Sequence, residues 1–206
     1  MEFKAEDVKK LREITGAGFA DCRSALTEAK SFDEAKKILE EKGQKRAEKV
    51  KGQERDTTQG AVVSYIHHGS NVGVLVEMNC STDFVARNED FRTLGREIAI
   101  QIAGYNPKYI SFTDIPENIV NTAKSELESA ADVKKKPVAV RAKIVEGRLQ
   151  KMFAPEVLML QPWVKDETKT IGALIDDLIR KTGENIVVRR FSRYEIGKYE
   201  DSANQQ

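Results

Sequence analysis

An acidic and an aromatic side chain, Asp83 and Phe84, stand side by side between two segments of different periodicity. The preceding segment, residues 72–76, is a nearly continuous apolar run rich in β-branched residues, which is typical of a buried strand. Downstream, Asn88 can cap a helix whose apolar residues recur at intervals of three and four. Side chains at such a strand-to-helix junction carry function more often than they form core. The pattern predicts a contact surface and does not predict catalysis.

Residue types alone leave two interpretations of this junction open. In the first, Phe84 packs beneath the following helix and Asp83 caps that helix. In the second, both side chains face outward and contact a partner.

A second candidate contact surface lies in a glycine-containing loop near the N-terminus. Gly16 and Gly18 interrupt the helical pattern between residues 5–15 and 19–30. Phe19 is either a core residue of a small bundle or an exposed aromatic that docks a partner, and the flanking glycines favour docking. The loop does not resemble a phosphate-binding loop, because it follows a helix and lacks a subsequent Gly-Lys-Ser/Thr.

The other chemically interesting side chains do not form a recognisable catalytic or metal site. His67 and His68 fall in a predicted hairpin turn, with no Cys or carboxylate at ligand spacing. Cys22 and Cys80 lie outside any CxxC pattern, so we expect both to be buried apolar residues. No set of nucleophile, base and orienting group can be named. We therefore expect a protein that is not an enzyme and has no cofactor or metal.

Composition points to a charged, water-soluble chain with amphipathic helices. Charged residues make up 33% of the 206 residues, yet the net charge is only +1, which gives no global attraction to nucleic acid or membrane. No apolar run approaches the roughly 20 residues of a membrane span, and the N-terminus lacks a signal peptide. We expect a cytoplasmic protein with no membrane partner.

One segment, residues 42–51, is locally basic, with five Lys and Arg residues against Glu48 alone. A solvated helical face is the favoured interpretation. The alternative is a ribosome- or RNA-associated protein that uses this segment as its footprint.

The helical patterns predict three short helices at the N-terminus, at residues 5–15, 19–30 and 32–42. Ser31 and Glu34 form a capping box for the third helix, and Gly43 suits its C-cap. We expect a three-helix domain at residues 1–43, followed by a charged, partly helical linker at residues 44–59.

Strand patterns at residues 61–66, 72–79 and 185–194 surround several further helices. This arrangement predicts an α+β core at residues 60–200, an antiparallel three-stranded sheet with helices packed on one face. We expect an extended segment at residues 157–160 and a disordered tail at residues 201–206.

Four blocks of the chain resemble signatures of the translation elongation factor Ts family. In chain order they are residues 11–26, 77–87, 160–166 and 191–197, and together they span nearly the whole sequence. The resemblance implies a ubiquitin-associated-like bundle at the N-terminus and guanine-nucleotide exchange on elongation factor Tu, without a direct nucleic-acid role. The spacing is similar to that of the short, single-core members, which dimerise, so we also expect a homodimer.

The resemblance also implies roles for particular residues. In the family, the second block disturbs Mg²⁺ on the partner, which implies this role for Thr82, Asp83, Phe84 and Val85. The first block is implied as a docking surface for the partner, at Arg12, Gly16, Gly18, Phe19 and Arg23.

Overall fold

The computed structural model describes residues 3–51 and 57–198. Its secondary-structure elements are α1 (Ala5–Thr15), α2 (Phe19–Glu28), α3 (Phe32–Lys51), β1 (Gln59–Ile66), β2 (Val72–Cys80), α4 (Asp83–Arg87), α5 (Glu89–Tyr105), α6 (Glu117–Ser129), α7 (Ala131–Lys134), α8 (Val138–Phe153), β3 (Pro162–Trp163), β4 (Asp166–Thr170), α9 (Ile171–Thr182) and β5 (Ile186–Glu195). Single 3₁₀ turns lie at Phe112–Asp114 and Leu158–Leu160. The fold is α+β, with an antiparallel three-stranded sheet in the order β1-β2-β5, as the sequence predicted.

The described chain forms two compact units. The first contains the residues up to Gly60, together with Asn79–Phe91 and Ile175–Val187. The second contains Ala61–Met78, Arg92–Leu174 and the residues from Val188 onward. The candidate contact residues all fall in the first unit.

Helices α1, α2 and α3 form the predicted three-helix bundle in the first unit. Their apolar stripes meet in a core of Val8, Leu11, Cys22, Ala25, Leu26, Ala35 and Leu39. Helix α1 has the predicted bounds and ends at Gly16, whose φ of 68° is accessible to glycine at little cost. Ile14, three positions after the buried Leu11, is 52% exposed and lies outside this core.

Helix α3 is longer than the sequence predicted. Ser31 Oγ accepts the expected capping bond from the N–H of Glu34 at 3.2 Å. The predicted end at Gly43 is wrong, because α3 continues to Lys51. Gly43 serves close packing instead: a Cβ there would lie 2.7 Å from Cδ of Arg180.

The structure describes only part of the predicted linker and none of the predicted tail. Residues 44–51 continue α3, and residues 52–56 lie outside the described residues. The predicted disordered tail, residues 201–206, lies outside them as well. Within the basic segment, Lys42 forms an ion pair with Glu28, with Nζ 2.9 Å from Oε1, while the side chains at 46, 49 and 51 are outside the description.

The sheet has one covered face and one face toward solvent. On the covered face, α5 approaches so closely that a Cβ on Gly95 would lie 2.7 Å from Cγ2 of Val63 and 3.2 Å from Sδ of Met78. Arg193 of β5 also donates to the carbonyl of Ala103 in α5, with Nη2 3.1 Å from the oxygen. On the other face, Arg190 pairs with Glu77, with Nε 2.6 Å from Oε2.

The remaining helices pack around a separate apolar cluster in the second unit. Helices α6, α7 and α8 bury Ala123, Val133, Val145, Leu149 and Phe153, together with Ile115 and Val157. The segment expected to be extended at residues 157–160 is a 3₁₀ turn instead, with the N–H of Leu160 donating to the carbonyl of Val157 at 3.0 Å. This turn buries Leu158 completely. A short apolar run indicates burial, and a 3₁₀ turn provides that burial as well as a strand would.

None of the helices in the described part of the chain combines the length and the apolar character that crossing a membrane requires.

Candidate partner-binding site

The junction between β2 and α5 contains a short helix that the sequence did not predict. Helix α4 begins after Thr82, which is its N-cap, and Thr82 Oγ1 accepts the N–H of Val85 at 3.4 Å. The interpretation that Asp83 caps a helix at this junction is therefore wrong, because the side-chain oxygen that caps α4 belongs to Thr82. Asn88 caps α5 as predicted, and its Oδ1 accepts the N–H of Asp90 at 2.8 Å.

Helix α4 divides the candidate residues into a buried and an exposed set. Val85 and Ala86 are only 8% and 7% exposed, so they attach the helix to the protein. Phe84 is 81% exposed, which rules out packing beneath the following helix and leaves an aromatic ring in solvent. Asp83 is partly exposed, and Oδ2 lies 3.2 Å from Nη2 of Arg87 one turn later.

Thr82 is held by Glu184, a residue that sequence reasoning missed. The backbone N–H of Thr82 donates to Glu184 Oε2 at 3.0 Å, and its hydroxyl donates to Oε1 at 2.7 Å. Cys80 is fully buried next to this pair, and its Sγ donates to the carbonyl of Thr82 at 3.2 Å. Burial raises the pKa of the Cys80 thiol, and the charge of Glu184 raises it further.

The N-terminal candidate residues surround the α1–α2 loop. The N–H of Gly16 donates to the carbonyl of Arg12 at 2.8 Å, which closes α1, and Gly18 is the N-cap of α2. Phe19 is 55% exposed at the start of α2, so its interpretation as a bundle-core residue is wrong. Arg23 lies one turn further along the same helix and is exposed.

A shallow groove of about 410 Å³ runs along α2 from Phe19. Its lining combines an aromatic ring, a guanidinium, two hydroxyls and a carboxylate: Phe19, Ala20, Arg23, Ser24, Thr27 and Glu28. A groove with this lining suits a protein surface of mixed polarity better than a small molecule, which usually requires an enclosed apolar pocket.

The C-terminal end of α9 contacts the α1–α2 loop and the start of α5. The Lys181 side chain lies against the α1–α2 loop, 3.5 Å from the position that a Cβ on Gly16 would occupy. Its Nζ is 3.1 Å from Oδ2 of Asp90, at the start of the helix that follows α4. One side chain of α9 therefore links the first predicted surface to the helix that follows the second, which their sequence positions did not indicate.

The chemistry of this site is that of a contact surface. Among the described residues, no group of three or more His, Cys, Asp and Glu side chains is placed to hold a metal ion. The groups that α4 presents to solvent are the phenyl ring of Phe84 and the ion pair between the partly exposed Asp83 and the exposed Arg87, on a short, well-anchored helix. This arrangement can insert a ring into a partner and present a charge beside it.

Comparison with known proteins identifies the family. The family model described as "Elongation factor TS" matches residues 2–198. The chain is 48% identical to elongation factor Ts of Coprothermobacter proteolyticus over 199 residues, which covers 96% of this chain and 100% of the relative. It is 46% identical to elongation factor Ts of Thermotoga maritima over 203 residues, covering 98% and 100%. The chain therefore belongs to the elongation factor Ts family.

Proposed function

We propose that this protein is a guanine-nucleotide exchange factor that promotes the release of GDP from elongation factor Tu. Membership of the elongation factor Ts family supports the activity and the partner. The assignment of this activity to a site rests on the exposure of Phe84, whose ring is 81% exposed on α4. A large apolar ring held in solvent at a defined position is typical of an interaction anchor.

The proposed mechanism uses Phe84 as a wedge. A GTPase of this type holds GDP through its phosphates and Mg²⁺, and Mg²⁺ requires near-ideal octahedral geometry. Insertion of the ring between partner side chains displaces the elements that hold the ion, and the Asp83 carboxylate enters beside it. Thr82 and the buried Val85 fix the helix that presents both groups. The resulting coupling is reciprocal, so GDP weakens binding of the factor as much as the factor weakens binding of GDP.

Energetics require a second contact surface. A thousandfold acceleration corresponds to about 4 kcal/mol, and burial of one Phe side chain provides about 1.5–3 kcal/mol. The remainder has to come from other contacts. The exposed groups along the α1–α2 loop and α2, namely Arg12, Gly16, Gly18, Phe19 and Arg23, are proposed to supply them. The division of the chain into a docking module at residues 1–43 and an exchange core at residues 60–200 is part of this proposal.

Exchange of a bound nucleotide makes and breaks no covalent bond. The proposed function therefore requires no catalytic residue and no cofactor in this chain, and it places the protein in the cytoplasm, where translation takes place.

We further propose that the chain forms a homodimer through the open face of its sheet. This face carries large apolar side chains from all three strands, with exposed fractions of 68% for Val62, 63% for Ile66, 48% for Leu75 and 73% for Tyr194. Several large apolar side chains exposed on one face of a sheet are typical of an interaction surface, although this face also carries the Arg190–Glu77 ion pair. The sheet face of a second copy is apolar in the same places and is therefore self-complementary under two-fold symmetry.

Stopped-flow release of a fluorescent GDP analogue from elongation factor Tu tests the exchange function. We expect a release rate that rises with the concentration of this protein and saturates. A release rate that stays at its intrinsic value over a wide concentration range, with both proteins folded, would contradict the proposal. In that case the RNA-binding alternative predicts a salt-dependent affinity for RNA that is lost when Lys45, Arg46 and Lys49 are neutralised.

A further inference from the structure

We infer that Glu184 is a positioning residue for α4 and its N-cap Thr82, here called the exchange element: it acts through Thr82 to fix the direction in which Phe84 projects. The inference deepens the proposed exchange function and rests on it. No sequence block that resembles the family signatures contains Glu184.

The contact between Glu184 and Thr82 is a two-point clamp. One carboxylate oxygen accepts the backbone N–H of Thr82 at 3.0 Å, and the other accepts its hydroxyl at 2.7 Å. Two hydrogen bonds to one carboxylate fix a rotation as well as a distance, and bonds to an ionised acceptor are shorter and stronger than neutral ones. The clamp therefore orients the residue from which α4 starts.

Helix α4 depends on such an anchor. It has five residues, far fewer than an isolated helix needs in water. Its own apolar attachment consists of Val85 and Ala86, whereas the Phe84 ring receives little support from the protein. The direction of the ring therefore follows the direction of the helix axis, which the N-cap residue sets.

The Thr82 hydroxyl links the clamp to the helix. Its oxygen accepts the N–H of Val85 at 3.4 Å while its hydrogen goes to Glu184 Oε1. Donation to Glu184 commits the hydroxyl hydrogen and leaves the oxygen lone pairs facing the helix. Loss of the carboxylate frees the hydroxyl to rotate, which weakens the cap.

A rigid turn presents the carboxylate. Gly183 ends α9 with φ of 72°, and its N–H donates to the carbonyl of Ile179 at 2.8 Å. The N–H of Glu184 then donates to Thr182 Oγ1 at 3.3 Å, and that hydroxyl donates to the carbonyl of Leu178 at 2.9 Å. Glu184 thus projects from the fixed end of α9 and contacts Thr82, 102 positions earlier in the chain.

A double-mutant cycle in the GDP-release assay tests the inference. The proteins are the wild type, Glu184→Ala, Phe84→Ala and the double variant, each titrated to a saturating release rate. We expect Glu184→Ala to lower the saturating rate about tenfold, equivalent to about 1.4 kcal/mol. In the Phe84→Ala background the same substitution should change the rate less than about twofold, because a residue that acts through the ring has no effect without it.

Two further variants control for folding. Glu184→Gln keeps one acceptor oxygen, so we expect it to lose less than Glu184→Ala, about threefold. Glu184→Gln replaces Glu184→Ala in the double-mutant cycle if Glu184→Ala does not fold. Glu146→Ala is the matched control, because it removes an exposed carboxylate from α8, outside both proposed contact surfaces. We expect Glu146→Ala to release GDP at the wild-type rate.

The local effect is measured without the partner by amide hydrogen exchange. In Glu184→Ala we expect the Val85 amide to exchange about fivefold faster or more, while amides of α8 such as that of Val145 keep their wild-type rates.

The outcomes separate the inference from the proposed function. A wild-type protein that fails to accelerate GDP release overturns both. Acceleration by the wild type and equally by Glu184→Ala overturns the role of Glu184 alone. A loss that is as large in the Phe84→Ala background as in the wild type also overturns it, since the residue would then act on general stability.

Discussion

Lys181 and Asp90, 91 positions apart in the chain, form an ion pair with Nζ 3.1 Å from Oδ2. The aliphatic part of the same lysine lies over Gly16, at 3.5 Å from the position of an added Cβ. One side chain of α9 thus contacts both the α1–α2 loop and the start of α5, directly after the exchange element. Its contacts join the proposed docking surface to the helix that follows the proposed exchange element.

Substitution of Lys181 separates charge from packing. Its ion pair is about half exposed, and such pairs contribute about 0–1 kcal/mol, so Lys181→Met should change the free energy of unfolding little. Lys181→Ala also removes the stem over Gly16, and we expect it to raise the half-saturating concentration in the exchange assay about threefold or more. Lys135→Ala, which removes an exposed lysine from the turn between α7 and α8, is the control. A Met variant as impaired as the Ala variant would contradict the packing role.

Phe84→Ala should affect exchange without affecting stability. The ring is 81% exposed, so its removal costs little folding free energy, whereas loss of its burial in the partner reduces the saturating GDP-release rate about 10- to 100-fold. Thermal unfolding and stopped-flow release measure the two effects. Phe91→Ala is the contrasting control, since Phe91 is fully buried and its truncation should cost about 3–5 kcal/mol. An unchanged release rate for Phe84→Ala would contradict the proposed role of Phe84 as a wedge.

Replacement of two helical glycines by alanine should change the free energy of unfolding in opposite directions. Gly147 in α8 has no atom within 4 Å of an added Cβ, so Gly147→Ala should stabilise the protein by about 0.5–1 kcal/mol. At Gly95 the added Cβ would lie 2.7 Å from Val63 of the sheet, and overpacking costs about 1–3 kcal/mol. We expect Gly95→Ala to destabilise the protein by about 1–2 kcal/mol. Urea unfolding of both variants gives the comparison, and stabilisation by both would show that α5 can move away from the sheet.

The elements predicted correctly are those with local signals at their ends. Helix α1 has its predicted bounds because Gly16 ends its apolar repeat. Helix α9 likewise has local signals at both ends, since Thr170 Oγ1 accepts the N–H of Ala173 at 3.1 Å and Gly183 adopts a positive φ. Both cysteines are buried, as their residue type indicated. These features depend on residues a few positions apart, which a sequence pattern records.

The features that the sequence did not reveal depend on distant residues. Gly43 has the residue type of a helix end, yet it lies inside a continuing helix, where the Arg180 side chain packs against it. Glu184 clamps Thr82 across 102 positions, and no spacing rule connects the two. The candidate site could therefore be proposed from the motif around Asp83 and Phe84, whereas the contacts that hold it in place could not be predicted.

The ion pair between α2 and α3 should make stability depend on pH. A hydrogen bond from Lys42, and then one from Ser24, lowers the pKa of Glu28 below its ordinary value of 4.5. A carboxyl with a depressed folded-state pKa stabilises the protein above the unfolded-state pKa, and this contribution is lost as the pH falls through the folded-state pKa. Glu28→Gln should therefore be less stable than the wild type at pH 7, and this deficit should be smaller at about pH 3. Thermal unfolding at both pH values measures the difference, and a deficit of the same size at both would show that packing causes it.

The open sheet face gives the last prediction, on assembly. Ile66 is 63% exposed and lies against Gly73 on this face, 3.1 Å from the position of an added Cβ. In a face-to-face dimer each copy of Ile66→Lys would bury an unpaired charge, which costs several kcal/mol and should dissociate the dimer. Sedimentation velocity should then show twice the monomer mass for the wild type and the monomer mass for Ile66→Lys.

The control for this prediction is Val138→Lys, which places the same charge at a 76% exposed position of α8. It should sediment as the wild type does, because α8 is not part of the sheet face. A monomeric wild type would contradict the dimer. Dissociation by Val138→Lys as well as by Ile66→Lys would show that the interface is not confined to the sheet face. Both substitutions leave the first unit unchanged, so the GDP-release rate of a monomeric Ile66→Lys variant would also show whether one copy is sufficient for exchange.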